Sequence, residues 1–231
     1  MYSLAAFRQI EEGMENYMLP ESIYAIIEIL TVKVGGTATS VPKQTKESLL
    51  TLLNKLTNDT YSTISTKILT ASPTSETLTD VFKVAANNMF YSKLYARLCN
   101  QIVNKNELLR VCILEKCTAY IECSLEVTSK QRGMTVFVTN LALNGTIPMS
   151  DCVRLVHKFQ AQIEANTDGD EDMVSEWVEH LALILTSNKS IMDLCSLESR
   201  IQSIVELDTK KNKGITLKII FKFMDILEHF K

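Results

Sequence analysis

The chain has 231 residues, 46% of them hydrophobic, enough to bury a sizeable core as one large domain or two small ones without disulfide or metal staples. Lys and Arg number 24 against 27 Asp and Glu, a formal net charge of −3, so no global field draws the protein to phosphate or to an acidic membrane surface. With 7 glycines and 4 prolines, and almost no alternating apolar and polar runs between turn residues, a sheet protein is excluded and an all-α fold is predicted.

Residues 2–33 predict two helices, divided at Leu19-Pro20-Glu21 and closed by Gly35-Gly36. Residues 34–45 (V-G-G-T-A-T-S-V-P-K-Q-T) are small and polar and lack periodicity, which is the chemistry of a linker. The expected division is therefore an N-terminal helical extension with linker, 1–44, and a main domain, 45–231. The start lacks the basic then apolar order of a signal peptide, and no apolar run is long enough to cross a bilayer. The expectation is a soluble cytoplasmic protein with no membrane partner.

From residue 45 onward the pattern predicts ten helices in five pairs, separated by short breaks rich in capping residues. The first pair is 45–56 and 59–71. Within it, Leu49, Leu50, Leu52, Leu53 and Leu56 are expected to pack, while Asn54 and Lys55 point outward at a helix end. At its close Ser72 is expected to cap the next helix, with Pro73 in the first helical position. The second pair is 74–90 and 91–104, and the third 106–127 and 130–144, where Asn144-Gly145 supplies a left-handed stop before Pro148 and Ser150 restart the chain. The fourth pair, 149–166 and 170–187, flanks the acidic turn Asn166-Thr167-Asp168-Gly169-Asp170. Met173, Trp177, Leu181 and Ile184, widened by Val174, Val178 and Leu185, form its predicted core stripe. The fifth pair, 190–208 and 214–230, flanks the basic turn Lys210-Lys211-Asn212-Lys213-Gly214. Short breaks make successive helices antiparallel, and a lone hairpin cannot bury its apolar stripe. Stacked hairpins can, so the predicted architecture is an α-solenoid of about five antiparallel helical hairpins.

No converging set of catalytic groups is legible. His157, His180 and His229 are far apart in sequence, with no H-x-x-x-H spacing, no phosphate-binding glycine loop and no nucleophile turn. Asp168, Asp170, Glu171 and Asp172 lack the register of a calcium loop and read as a solvated acidic turn. The six cysteines (Cys99, Cys112, Cys117, Cys123, Cys152 and Cys195) contain no C-x-x-C and read as small, reduced, buried residues. Spacings of five and six residues along one helix turn Cys112, Cys117 and Cys123 to different faces, which excludes a shared zinc ion. The expectation is a protein without catalytic residues, metal or cofactor. Lys210, Lys211 and Lys213 with Lys218 and Lys222 are the strongest local positive cluster, either a solvated surface or a contact for RNA phosphate or an acidic protein surface.

Five motifs, in order, resemble one family. L-N-K-L-T at Leu53 to Thr57 is similar to the opening motif of the middle domain of the translation-initiation scaffold, initiation factor 4 gamma. Y-A-R-L-C from Tyr95 to Cys99 and L-E-K-C from Leu114 to Cys117 resemble the motifs of its second and third pairs. R-G-M-T-V-F-V-T-N-L from Arg132 to Leu141 is similar to a family segment in shortened form, and I-P-M-S-D-C-V from Ile147 to Val153 to another. The long charged insertion usual in the third hairpin is reduced here to 126–131.

The resemblance implies a HEAT-like crescent without activity of its own that binds and activates a DEAD-box RNA helicase and helps recruit mRNA to the ribosome. It would make Asn54, Lys55 and Thr57 one helicase contact and Lys210, Lys211, Lys213 and Lys218 a second. Asn54 can equally be a helix-end cap. Lys222 joins the other four lysines as a candidate RNA contact. Tyr24, Ile29 and Leu30 resemble the short helix by which such scaffolds dock the cap-binding protein, although the same spacing suits a helix packed on the solenoid. Relatives of this fold also serve as adaptors in mRNA decay and processing. A direct RNA-binding protein is the reading from a different class.

Overall fold

The computed structural model describes residues 48–123 and 131–229, which fall within a unit that begins at Glu47. The expectations for 1–44, including the face of Tyr24, Ile29 and Leu30, lie outside the described residues. Among those residues every regular element is helical, so the chain is all-α as predicted. The helices are α1 (Leu49–Asn54), α2 (Tyr61–Thr70), α3 (Ser75–Asn87), α4 (Ser92–Lys105), α5 (Leu109–Cys123), α6 (Arg132–Leu143), α7 (Met149–Ala165), α8 (Glu171–Leu185), α9 (Lys189–Cys195), α10 (Glu198–Val205) and α11 (Leu217–His229). A short 3₁₀ turn, Met89–Tyr91, joins α3 to α4. None of these helices is long and apolar enough to cross a membrane.

Local chemistry sets several of the boundaries. The Ser48 and Asp170 side chains accept from the Thr51 and Met173 amides and start α1 and α8. At the end of α6, Gly145 adopts φ 76°, its amide donates to Ala142 and that of Thr146 to Leu141, so the left-handed stop completes a Schellman closure.

Four expectations need correction. Thr74, not Ser72, caps α3, because Thr74 and Thr77 exchange side-chain bonds with each other's backbone amides in a capping box, while Ser72 takes a left-handed φ of 55°. The helix expected over 190–208 is two helices broken at left-handed Ser196, φ 50°. A continuous helix would turn Ile191, Met192 and Cys195 to one face and Leu197, Ile201 and Ile204 to the opposite one, whereas the break lets all six enter the core. Leu50 and Met173 are exposed rather than packed, since both lie in the first turn of a helix and beyond the buried stripe. Of the cysteines, Cys99, Cys117, Cys152 and Cys195 are buried, but Cys112 is half-buried and Cys123, the last residue of α5, is exposed.

The helices pack in two rows. In one, α1 lies on α3, α3 on α5, α5 on α7 and α7 on α9; in the other, α2 lies on α4, α4 on α6, α6 on α8 and α8 on α11. One continuous core runs between the rows from Leu53 to Ile226. In its middle Phe82 of α3 meets Phe137 of α6 edge to face at 5.0 Å, and Gly133 lets α6 approach the backbone of α3 at Ala86. Arg132–Glu176, Glu164–Arg200 and Glu179–Lys222 ion pairs link α6 to α8, α7 to α10 and α8 to α11. All are partly exposed, so the apolar core outweighs them in stability.

Burial also fixes an alkaline limit. It pushes the Cys117 and Cys152 thiols from 9.0 to about 12, and the Tyr61 and Tyr120 phenols from 10.0 to about 12. The unfolded chain releases these protons around pH 9 to 10, where the native chain retains them. Stability from these groups is therefore complete below about pH 9 and falls as pH rises toward about 12. Urea midpoints should be level through neutral pH and decline steadily above about pH 9.5, and a midpoint unchanged to about pH 11 would contradict this assignment.

Candidate functional site

Hydrogen bonds tie neighbouring turns together at two places. The Tyr95 hydroxyl at the start of α4 donates to the Leu53 carbonyl at the end of α1, 3.1 Å, and the Asn88 amide reaches the same hydroxyl. Further along, the Gly214 amide in the turn before α11 donates to the Thr167 carbonyl in the turn before α8, 2.8 Å. The two predicted contact segments, 54–57 and 210–218, thus each lie at a turn tied to its neighbour by such a bond.

At the first segment, Leu53 and Leu56 are fully buried while Asn54 and Lys55 between them are exposed. The backbone there is held on both sides. Besides the Tyr95 bond to Leu53, the Lys55 carbonyl accepts from the Thr60 hydroxyl at 2.6 Å. Two polar side chains therefore project from a fixed platform. Lys55 rather than Asn54 is the C-cap, and its amide closes the helix, so the capping alternative for Asn54 is not what the turn uses. Thr57 is half-buried, and its amide and hydroxyl both meet the Thr60 hydroxyl, at 2.8 and 3.0 Å. It shapes the turn from within more than it offers a surface.

At the second segment Lys210, Lys211 and Lys213 are exposed on one turn, whose backbone folds around Asp208: the Lys210 amide donates to the Asp208 carboxylate and the Lys211 amide to its carbonyl. Lys218 and Lys222 lie farther along, on α11, and the structure does not gather all five at one point. Lys222 is paired with Glu179 at 3.2 Å and stays partly exposed. The Gly214 bond also sets the basic turn directly beside exposed Asp168 and Asp170. The tip is therefore a mixed-charge surface and not a continuous positive one.

Sequence reasoning missed the aromatic tip beside the first segment. Phe90 is 84% exposed and Met89 is exposed beside it, on the 3₁₀ turn next to the Leu53–Tyr95 bond. Tyr91 holds the Phe90 ring edge to face at 4.9 Å. The M-F-Y run after Asn87-Asn88 was the available signal, hidden by reading one helix through residue 90. On the neighbouring surface, the Arg97 guanidinium lies 4.6 Å from the Tyr61 ring centre, and the Tyr61 hydroxyl donates to Gln101.

His157 and His229 lie on the surface and His180 is fully buried. Among the described residues no cluster of His, Cys, Asp and Glu could hold a metal ion. These turns expose an amide at Asn54, cations at Lys55, Lys210, Lys211 and Lys213, and an aromatic ring at Phe90. No protein-family model matches the chain, and no curated protein gives a significant match.

Proposed function

We propose that this unit is a HEAT-like α-solenoid, a non-enzymatic cytoplasmic scaffold that binds the DEAD-box RNA helicase of translation initiation and favours its productive arrangement. The observation that carries the reading is the Tyr95 to Leu53 bond. It joins two of the motifs on which the family resemblance rests, 42 residues apart, and leaves Asn54 and Lys55 as the exposed positions of the first motif. The two rows of helices, each packing on the next of its own row, are what stacked hairpins produce and support the solenoid. A stiff scaffold that touches two mobile lobes shifts them toward closure by its greater affinity for the closed state. Direct RNA binding as the main role has less support, because Lys222 is ion-paired and the other tip lysines stand beside carboxylates.

The test is RNA-dependent ATP hydrolysis by that helicase with and without the protein, beside the double variant Asn54→Ala and Lys55→Ala. Stimulation is expected with the native chain and should fall about tenfold or more in the variant, in line with losing a central polar contact. The variant's urea midpoint should stay within about 0.5 kcal/mol of the native value, because both side chains are exposed. Neither binding nor stimulation by the native chain would overturn the initiation reading and favour the decay and processing adaptors.

A further inference from the structure

The last helix carries an apolar face that no described helix covers. On α11, Ile219, Phe223 and Ile226 are buried, whereas Leu217, Phe221 and Met224 are 62%, 59% and 47% exposed. Their spacing of four and three residues aligns them along the outer side of the helix. Among the described residues α11 packs on α8 and α10; Phe221 borders a groove along α8, beside Val178 and Glu179, and still leaves most of its ring exposed.

We propose that the occupant is a second copy of this chain, with the two α11 helices pairing antiparallel about a two-fold axis at the level of Phe221. The charges beside the stripe support this choice. Exposed Lys218 and Asp225 lie on one flank of α11, seven residues and about two turns apart, three before and four after Phe221. An antiparallel two-fold keeps like flanks on the same side and reverses the sequence direction, so Lys218 meets the partner's Asp225 and Asp225 meets the partner's Lys218. Leu217 then packs on the partner's Met224, and the two Phe221 rings meet near the axis. A parallel pair would set the charged flank against the half-buried apolar flank of Ile220 and Leu227 instead. The face complements itself in charge in the antiparallel arrangement alone.

Sedimentation equilibrium of the full chain, from micromolar to millimolar concentration, tests the pairing. The native protein is expected to show a concentration-dependent dimer and Phe221→Glu a monomer, with helical circular dichroism confirming that the variant is folded. Lys218→Asp and Asp225→Lys should each weaken the dimer about tenfold or more, because each places like charges together, and the double exchange should restore it. A native chain monomeric throughout would overturn the proposal. So would a dimer that survives Phe221→Glu, or a double exchange no tighter than either single one.

Discussion

Gly133→Ala is expected to destabilise the fold by about 3 kcal/mol, at the upper end of what one added methyl costs in a packed interior. A Cβ built there would lie 2.1 Å from the Ala86 carbonyl oxygen and 2.8 Å from its carbon. Both atoms are backbone, so no side chain can rotate away, and α3 cannot retreat because Val81, Phe82, Val84 and Ala85 fix it in the core. The better helix propensity of alanine returns at most about 1 kcal/mol. Gly145→Ala separates steric from conformational cost. There a Cβ meets nothing within 4 Å, but φ is +76°, so the expected loss is about 1 kcal/mol, and less for Gly145→Asn. Urea unfolding of the three variants reads both effects. Equal losses for the two alanine variants would show that close approach of α6 to α3 is not what Gly133 provides.

The helices were legible because their apolar residues recur at the helical period and their ends carry capping chemistry. Asn144-Gly145 marks a stop that the structure uses, and the stripe from Met173 to Leu185 is core apart from its first member. What failed was competition between neighbouring signals. Ser72 and Thr74 are both cap residues, and only the reciprocal bond of Thr77 decides between them. Leu197 looked like one more apolar residue in a long helix, although its phase conflicts with Ile191 and Met192, and resolving that conflict needs the break at Ser196. The packing of alternate helices in two rows is a long-range property and has no local mark in the sequence.

At the candidate site, the outward pair Asn54 and Lys55 could be read from the leucines around it, since burying Leu53 and Leu56 forces the residues between them outward. The bond from Tyr95 could not, because it crosses 42 residues. The lysines were legible as a cluster along the chain but not in space. The carboxylates beside them come from a turn some forty residues earlier, and the partner of Lys222 from a different helix. Linear charge patterning therefore overstated the positive field at the tip and left the exposed Phe90 unnoticed.

Thr135→Val should cost more than its small change in volume suggests. The Thr135 hydroxyl on α6 is fully buried and lies 2.6 Å from both the Tyr120 hydroxyl of α5 and Nδ1 of His180 on α8. One hydroxyl proton serves two neighbours, so the bonds run in a single sense along the chain: where His180 accepts, Thr135 donates to it and accepts from Tyr120. Valine keeps the shape and removes both bonds at once, and His180, enclosed and stacked on Phe159, cannot recover its own from solvent. The expected loss is about 1–3 kcal/mol for each group that loses its partner. Tyr120→Phe takes away the outer member alone, leaves the Thr135–His180 bond standing and should cost about 1 kcal/mol. In the double variant the losses should fall short of additive, because Tyr120 has no bond left to lose once Thr135 is valine. A Thr135→Val variant no less stable than Tyr120→Phe would mean that the chain of bonds is not what ties these helices together. The same chain joins neighbouring pairs in the middle of the rows, so under the proposed scaffold function Thr135→Val should lower helicase stimulation even with Asn54 and Lys55 untouched.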